Sequence, residues 1–292
     1  MSHENLTKAL ATVLDRKLFF VAGQGKSGTT WLQLILDAHP EICCRGEGHL
    51  GDVLLPALGE SLERYNGYIR HNNSLFKELP DYPTLPYGFS RSLLQSACAL
   101  LLYEQCDGEV PPLIGERTPA NIACINLLHE IFPDAHFVHV IRDVRDIAVS
   151  FWFHGLRTNP DWIQSEYGSL ESVAVRLAET WVKTILAARH SGRSMDAAYH
   201  EICYEHLHED FEKSLGQLLE QLGASVSDEI LQTCRDASAF ENVSGGREAG
   251  VEDRQSHFRK GVVGDWREHL QSATAERVSE IAGELIRDFG YE

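Results

Sequence analysis

Apolar positions along the chain follow two periods, and the switches between them predict its elements. Leu18-Phe-Phe-Val-Ala22 is a short apolar run rich in strand formers, followed by Gly23-Gln-Gly25. Trp31, Leu32, Ile35, Leu36 and Ala38 then fall at helical spacing, and His39-Pro40 closes that helix. Phe137-Val-His-Val-Ile141 repeats the arrangement, with a helix from about Asp146. Ala198 to Tyr204 is a third strand candidate, with helical patterning from about His208 to Leu222 and again from about Ser272 to Phe289. Strands alternating with helices predict parallel βαβ units and a layered α/β fold.

Two stretches lack this order. Tyr65 to Tyr87 carries Asn-Asn, three prolines and several aromatics, which suits an insertion or a substrate-side loop. Asn242 to Gly264 holds Gly245-Gly246, Gly250, Gly261 and Gly264 with little periodicity. A segment of that length in a compact domain is a working lid or a disordered strip. No composition shift marks a linker, so residues 1–292 are expected to form a single domain.

Charge narrows the partners. Lys and Arg number 26 against 43 Asp and Glu, a formal net charge of −17. A field of that sign argues against gripping nucleic acid or another polyanion. An anionic ligand needs a local basic pocket built against the bulk charge. Residues 1–17 hold no apolar run of signal-peptide length, and no stretch is long enough to span a bilayer. Seven cysteines without paired metal spacing fit a reduced compartment, so a cytoplasmic protein is expected.

The first chemical signal is Gly23-Gln-Gly-Lys-Ser-Gly-Thr-Thr-Trp31. Glycines after a strand and hydroxyl residues opening a helix bring backbone N–H groups to one point, a site for a phosphate-like anion. The ATP-binding loop requires Gly-x-x-x-x-Gly-Lys-[Ser/Thr]. Counting back from Gly25-Lys26-Ser27 puts Phe20 at the first glycine, and Gly28 is followed by Thr29 where Lys is needed. The loop is a relative of the ATP loop that has lost its register.

Lys26-Ser-Gly-Thr-Thr-Trp-Leu32 resembles the 5′-phosphosulfate loop of sulfotransferases that use 3′-phosphoadenosine 5′-phosphosulfate (PAPS), with Gly25 where the family places Pro. That resemblance implies a P-loop-like three-layer fold, a central parallel sheet flanked by helices. Val140-Ile-Arg-Asp-Val-Arg-Asp-Ile-Ala-Val-Ser150 resembles the family's 3′-phosphate motif, with Arg142 and Ser150 in the binding positions and Val144 replacing Pro. His257-Phe-Arg-Lys-Gly-Val-Val-Gly-Asp-Trp266 resembles a further family element, in which Arg259, Lys260 and Gly261 complete the clamp and Trp266 packs. Tyr204-Glu-His-Leu207 resembles an element whose Tyr reaches the adenine, and Trp31 matches the aromatic stacking on it. The implied cofactor site is Lys26, Ser27, Gly28, Thr29, Thr30, Trp31, Arg142, Ser150, Tyr204, Arg259, Lys260 and Gly261.

By the same resemblance, Lys26 neutralises the leaving oxygen, and no metal is implied because no acidic ligand motif accompanies the loop. An acceptor hydroxyl also needs a base. Cytosolic sulfotransferases carry it as His in a Lys-Thr-His element; the comparable Gly115-Glu-Arg-Thr-Pro-Ala-Asn121 has Arg117 and no His. Asp37-Ala-His-Pro-Glu-Ile-Cys-Cys-Arg-Gly-Glu47 resembles the Asp-Ala-His-Pro…Gly-Glu run of tyrosylprotein sulfotransferases, which makes Glu47 the base. His49 is the alternative, with a pKa suited to neutral pH. His154 is a further candidate for the acceptor pocket.

The expected activity is sulfuryl transfer to a hydroxyl of a small phenol or alcohol, with a peptide tyrosine kept in view by the Glu47 match. Tyr65, Tyr68, Phe76, Tyr82, Tyr87, Phe89, Trp152 and Phe153 are the aromatics expected near an apolar acceptor. The rival readings are a nucleotide kinase or NTPase, opposed by the broken loop register, and a non-catalytic nucleotide-binding module.

Overall fold

A computed structural model describes residues 3–291. Its five strands are β1 (Lys17–Gly23), β2 (Ile42–Arg45), β3 (Leu113–Arg117), β4 (His136–Ile141) and β5 (Tyr199–Cys203). They form one sheet in the order β2-β3-β1-β4-β5, and every neighbouring pair is parallel. Phe20 of the central strand lies level with Glu116 of β3 and Phe137 of β4.

Successive strand side chains point to opposite faces, and β1 divides accordingly. Leu18 and Phe20 join an apolar cluster with Ile114, Phe137 and the helices Tyr87–Glu104 and Asn121–Ile131. Phe19 and Val21 join another, with Val138, Val140 and the helices Thr29–Asp37 and Phe211–Leu222. Both faces are covered, which makes three layers. A third cluster lies among the helices Val144–Thr158, Leu170–Gly192 and Ser272–Asp288, around Trp181. Phe19, Phe20 and Phe137 are at most 1% exposed, and burying each large apolar side chain stabilises the fold by roughly 1.5–3 kcal/mol.

Several elements depart from the sequence pattern. β2 is four residues long, and β3 contains Glu116 and Arg117, both buried. Neither presents a run of apolar strand formers, so neither was predicted. Tyr65 to Leu75 is not a loop but the end of the helix Leu55–Leu75; its buried side chains are only Leu55, Asn66 and Ile69, too few for a clear period. The expected helix from His208 to Leu222 is two helices, Tyr204–Glu209 and Phe211–Leu222, divided at Asp210, whose carboxylate accepts from Lys213 N.

The glycine-rich stretch is irregular, as expected, between the short helices Phe240–Val243 and Trp266–His269. It is cross-tied internally. Arg247 donates to the carbonyls of Val251, Phe258 and Arg259, and Gly250 N and Asp253 N donate to Lys260 O and Arg259 O. Among the described residues no helix is long and apolar enough to cross a membrane. All seven cysteines are free.

Candidate active site

The carboxyl ends of β1 and β4 open on one crevice, where parallel α/β sheets bind ligands. The chain leaving β1 turns sharply: Lys26 has φ +76° and Gly28 φ +101°. A Cβ on Gly28 would stand 2.4 Å from a Tyr204 ring carbon, so only glycine passes there. Gly28 is the N-cap of the helix Thr29–Asp37, and no side chain caps it. The first-turn N–H groups are left for an anion. Ser27 differs from its neighbours: it is fully buried, its Oγ has no partner, and it does not line the cavity.

That cavity, of about 850 Å³, is lined by Lys26, Gly28, Thr29, Thr30, Trp31, Glu47, Arg142, Ser150, Tyr204, Arg259, Lys260 and Gly261 together with residues the sequence motifs did not single out. Arg142 follows β4 directly. Its guanidinium lies 4.2 Å over the Tyr204 ring, donates to Lys26 O at 3.3 Å and Val262 O at 3.2 Å, and faces Asp146 at 3.7 Å. Asp143 caps the following helix by accepting from Arg145 N at 2.9 Å, which fixes the turn that carries Ser150 inward.

Asp146 ties the third motif to this turn. Its carboxylate accepts from Gly264 N at 2.7 Å and Trp266 N at 2.9 Å. Arg259 pairs with Asp265 and with Glu252 at 2.6 Å, and Lys260 bonds Asp265 and Glu268, each at 2.6 Å. Trp266 packs under the Arg145 guanidinium at 4.0 Å, the packing role expected of it. Gly261 lies against the Phe240 ring, which also lines the cavity.

The far wall is aromatic. Trp31 stands 4.5 Å from the His208 ring and edge-on to Tyr204 at 5.3 Å, and its indole donates to Ser238 O at 2.9 Å. Its plane is thereby fixed. At the other end, burial and the charges of Arg157 and Arg142 lower the Lys26 pKa to about 8, against the opposing pull of Glu47. Glu47 pairs with Arg117, whose Nε donates to Gln33 at 2.9 Å. The chain reaches Glu47 through Gly46, where a Cβ would lie 2.0 Å from Arg117 O. Behind it, the buried Glu116 carboxylate accepts from Gly48 N at 2.8 Å, from Asn121 Nδ2 at 2.7 Å and from Thr118 Oγ1 at 2.5 Å. This network sets the loop that bears Glu47.

His49 does not line the cavity. Its Nδ1 bonds Asp52 at 2.9 Å and its Nε2 lies 3.4 Å from Glu47, and the Asp52 hydrogen bond raises its pKa. The aromatics expected around the acceptor do not line the cavity either. Tyr65, Tyr68, Phe76, Tyr82, Tyr87 and Phe89 are exposed on the surface, and Phe153 is buried in the helical cluster with Trp152 packed against it. The six exposed ones are spread over two helices and the segment between them, and sequence has no measure of where that surface faces. Conversely, His208, Phe240 and His257 line the cavity without having been assigned a role. Their nearness to motif residues (His208 four after Tyr204, His257 two before Arg259) was the available signal.

The chain is 28% identical to a putative protein-tyrosine sulfotransferase of Caenorhabditis briggsae over 46% of its own length and 42% of that protein's. It is 30% identical to protein-tyrosine sulfotransferase 1 of Homo sapiens over 47% of its length and 34% of that protein's. It thus spans less than half the length of these curated relatives. Among solved structures, mouse sulfotransferase SULT7A1 complexed with PAP superposes with a TM-score of 0.59 at 21% identity, covering 98% of this chain and 90% of that one, which shows a shared fold. The profile of the sulfotransferase family matches residues 19–228, and the chain belongs to that family.

Proposed function

We propose that this protein transfers a sulfuryl group from PAPS to the hydroxyl of an acceptor, with a small phenol or alcohol as the acceptor class. The observation that carries the reading is one cavity lined both by Lys26 at the uncapped helix N-terminus and by Arg142, Ser150, Arg259 and Gly261. Cationic groups and an aromatic wall within one cavity suit a ligand that carries more than one anion and an aromatic base. Arg142 Nε and Arg259 Nε are buried without partners; an anionic group reaching them would satisfy donors that are otherwise costly. A 3′-phosphate there displaces Arg259 and Lys260 from Asp265.

In this reading the loop amides, Thr29 and Thr30 hold the 5′-phosphosulfate, and Trp31 and Tyr204 flank the adenine. Lys26 neutralises the bridging oxygen as its bond to sulfur breaks and the electron pair stays on the phosphate. Glu47 takes the hydroxyl proton while the acceptor oxygen bonds to sulfur. Arg117 orients the Glu47 carboxylate. PAPS supplies the activated sulfuryl group; positioning and fixed donors do the rest.

Transfer of labelled sulfate from PAPS to p-nitrophenol, a hydroxyl library and a tyrosine peptide tests the activity and sorts the acceptors. Calorimetry should show 3′-phosphoadenosine 5′-phosphate (PAP) binding far more tightly than ADP, since charge-assisted contacts to the extra phosphate contribute roughly 1.5–3 kcal/mol each. Equal affinities would refute the assignment.

A further inference from the structure

His154 and Arg157 stand one helical turn apart on Val144–Thr158, near Lys26, and have no part in the mechanism so far. His154 lines the cavity, and its Nδ1 lies 3.0 Å from Arg157 Nη2. The same guanidinium donates through Nη1 to Gln255 O at 3.2 Å, in the irregular segment that carries His257. Its hydrogen-bonding capacity goes to an imidazole and a carbonyl.

A guanidinium has only donors. In that contact Nδ1 must therefore accept, and the single proton of the neutral ring sits on Nε2. We propose that His154 is a neutral hydrogen-bond donor, through Nε2–H, to the sulfuryl group beside Lys26, and that Arg157 is the positioning residue that fixes its tautomer. Burial, then the charges of Lys26, Arg157 and His257, hold the ring's pKa down to about 4, so it stays neutral at physiological pH. It is therefore a donor that cannot serve as a base while Arg157 occupies Nδ1. Lys26 handles charge on the leaving oxygen; His154 holds the orientation of the group being moved. Because Arg157 also grips Gln255, the same guanidinium joins the sulfuryl end to the segment bearing Arg259 and Lys260.

The inference rests on the sulfuryl-transfer reading, and the experiment separates the two. Long-range proton–nitrogen NMR spectra of the histidine-labelled full chain, with and without PAP, report the tautomer, and the His154 signal is identified by its loss in His154→Gln. Protonation at Nε2 is expected at pH 7; a proton on Nδ1, or an imidazolium, overturns the proposal. In kinetics at saturating PAPS, His154→Leu should lose about 10²-fold in kcat, the usual effect of deleting one fixed donor. His154→Gln, which keeps a donor, should retain clearly more, and Arg157→Lys should recover part of what Arg157→Leu loses. An active wild type whose His154→Leu variant keeps its kcat sinks this inference alone. A wild type that binds no PAP and transfers no sulfuryl group sinks the underlying reading and this one with it.

Discussion

Lys26 and Glu47 both line the proposed site, and each has its own test. Lys26→Ala should lower kcat more than it weakens PAP binding, because charge on the leaving oxygen grows toward the transition state. Its lowered pKa adds a pH signature. The ammonium of the free protein is lost above about pH 8, so kcat/KM for PAPS should fall about tenfold per unit beyond that point. Arg157 is one of the charges lowering that pKa, so Arg157→Gln should move the falling limb to higher pH. A limb unmoved in both variants would assign it to another group. Glu47→Gln keeps shape and removes basicity, and should cost roughly 10²–10⁴-fold in kcat while leaving PAP binding intact. His49→Ala should cost much less, since His49 lies outside the cavity and is engaged by Asp52. The reverse outcome would transfer the base role to His49.

At the scale of elements, the site depends on the junction of β4, its following helix and the third motif. Asp146 makes that junction: one buried carboxylate accepts two N–H groups of the 264–266 turn and faces Arg142. Asp146→Ala leaves those donors without their acceptor and a buried guanidinium without its counter-charge, a loss of roughly 3–5 kcal/mol. Urea unfolding should show that loss, and calorimetry should show weakened PAP binding in the same variant. Asp146→Asn keeps an acceptor oxygen and should fall between. Unchanged PAP affinity in Asp146→Ala would mean that the third motif holds its place without this tie.

Across the whole molecule, the sheet edge between β4 and β5 carries three histidines whose pKa burial lowers. His136 Nδ1 and His200 Nε2 share one hydrogen bond of 2.8 Å, and His139 Nδ1 bonds the Tyr199 hydroxyl at 2.7 Å. Burial lowers the pKa of His139 and of His200 to about 4. In the unfolded chain both return to about 6.5. The unfolded state therefore binds more protons below that pH, and stability is lost as pH falls from about 6.5 toward 4. For His139 the full effect is up to about 3 kcal/mol. Urea midpoints measured across that window should decline, and His200→Gln should flatten part of the decline. A midpoint independent of pH between 6.5 and 4 would show that these rings do not titrate on unfolding.

What could be read from the sequence was what is local. β1 and β4 are largely apolar because strands covered on both faces bury nearly every side chain, whereas the edge strand β5 carries His200 and Glu201. The proposed anion loop is one segment of nine residues that turns at Lys26 and Gly28 into a helix start, so its order along the chain already is its geometry. The same holds for Arg142 just past β4 and Ser150 inside the next helix. Tertiary structure decided the rest. β3 is polar at Glu116 because Gly48, Thr118 and Asn121 satisfy the carboxylate, a match of partners distant in sequence that periodicity does not encode. Glu47 reaches the cavity, and His49 two residues on does not, through the close passage of Gly46 over Arg117. His154 takes its tautomer from Arg157, and Arg157 takes its place from Gln255, 98 residues away. Segments separated along the chain share one cavity only after the sheet has ordered its strands, and distances between them exist in no shorter piece of the molecule.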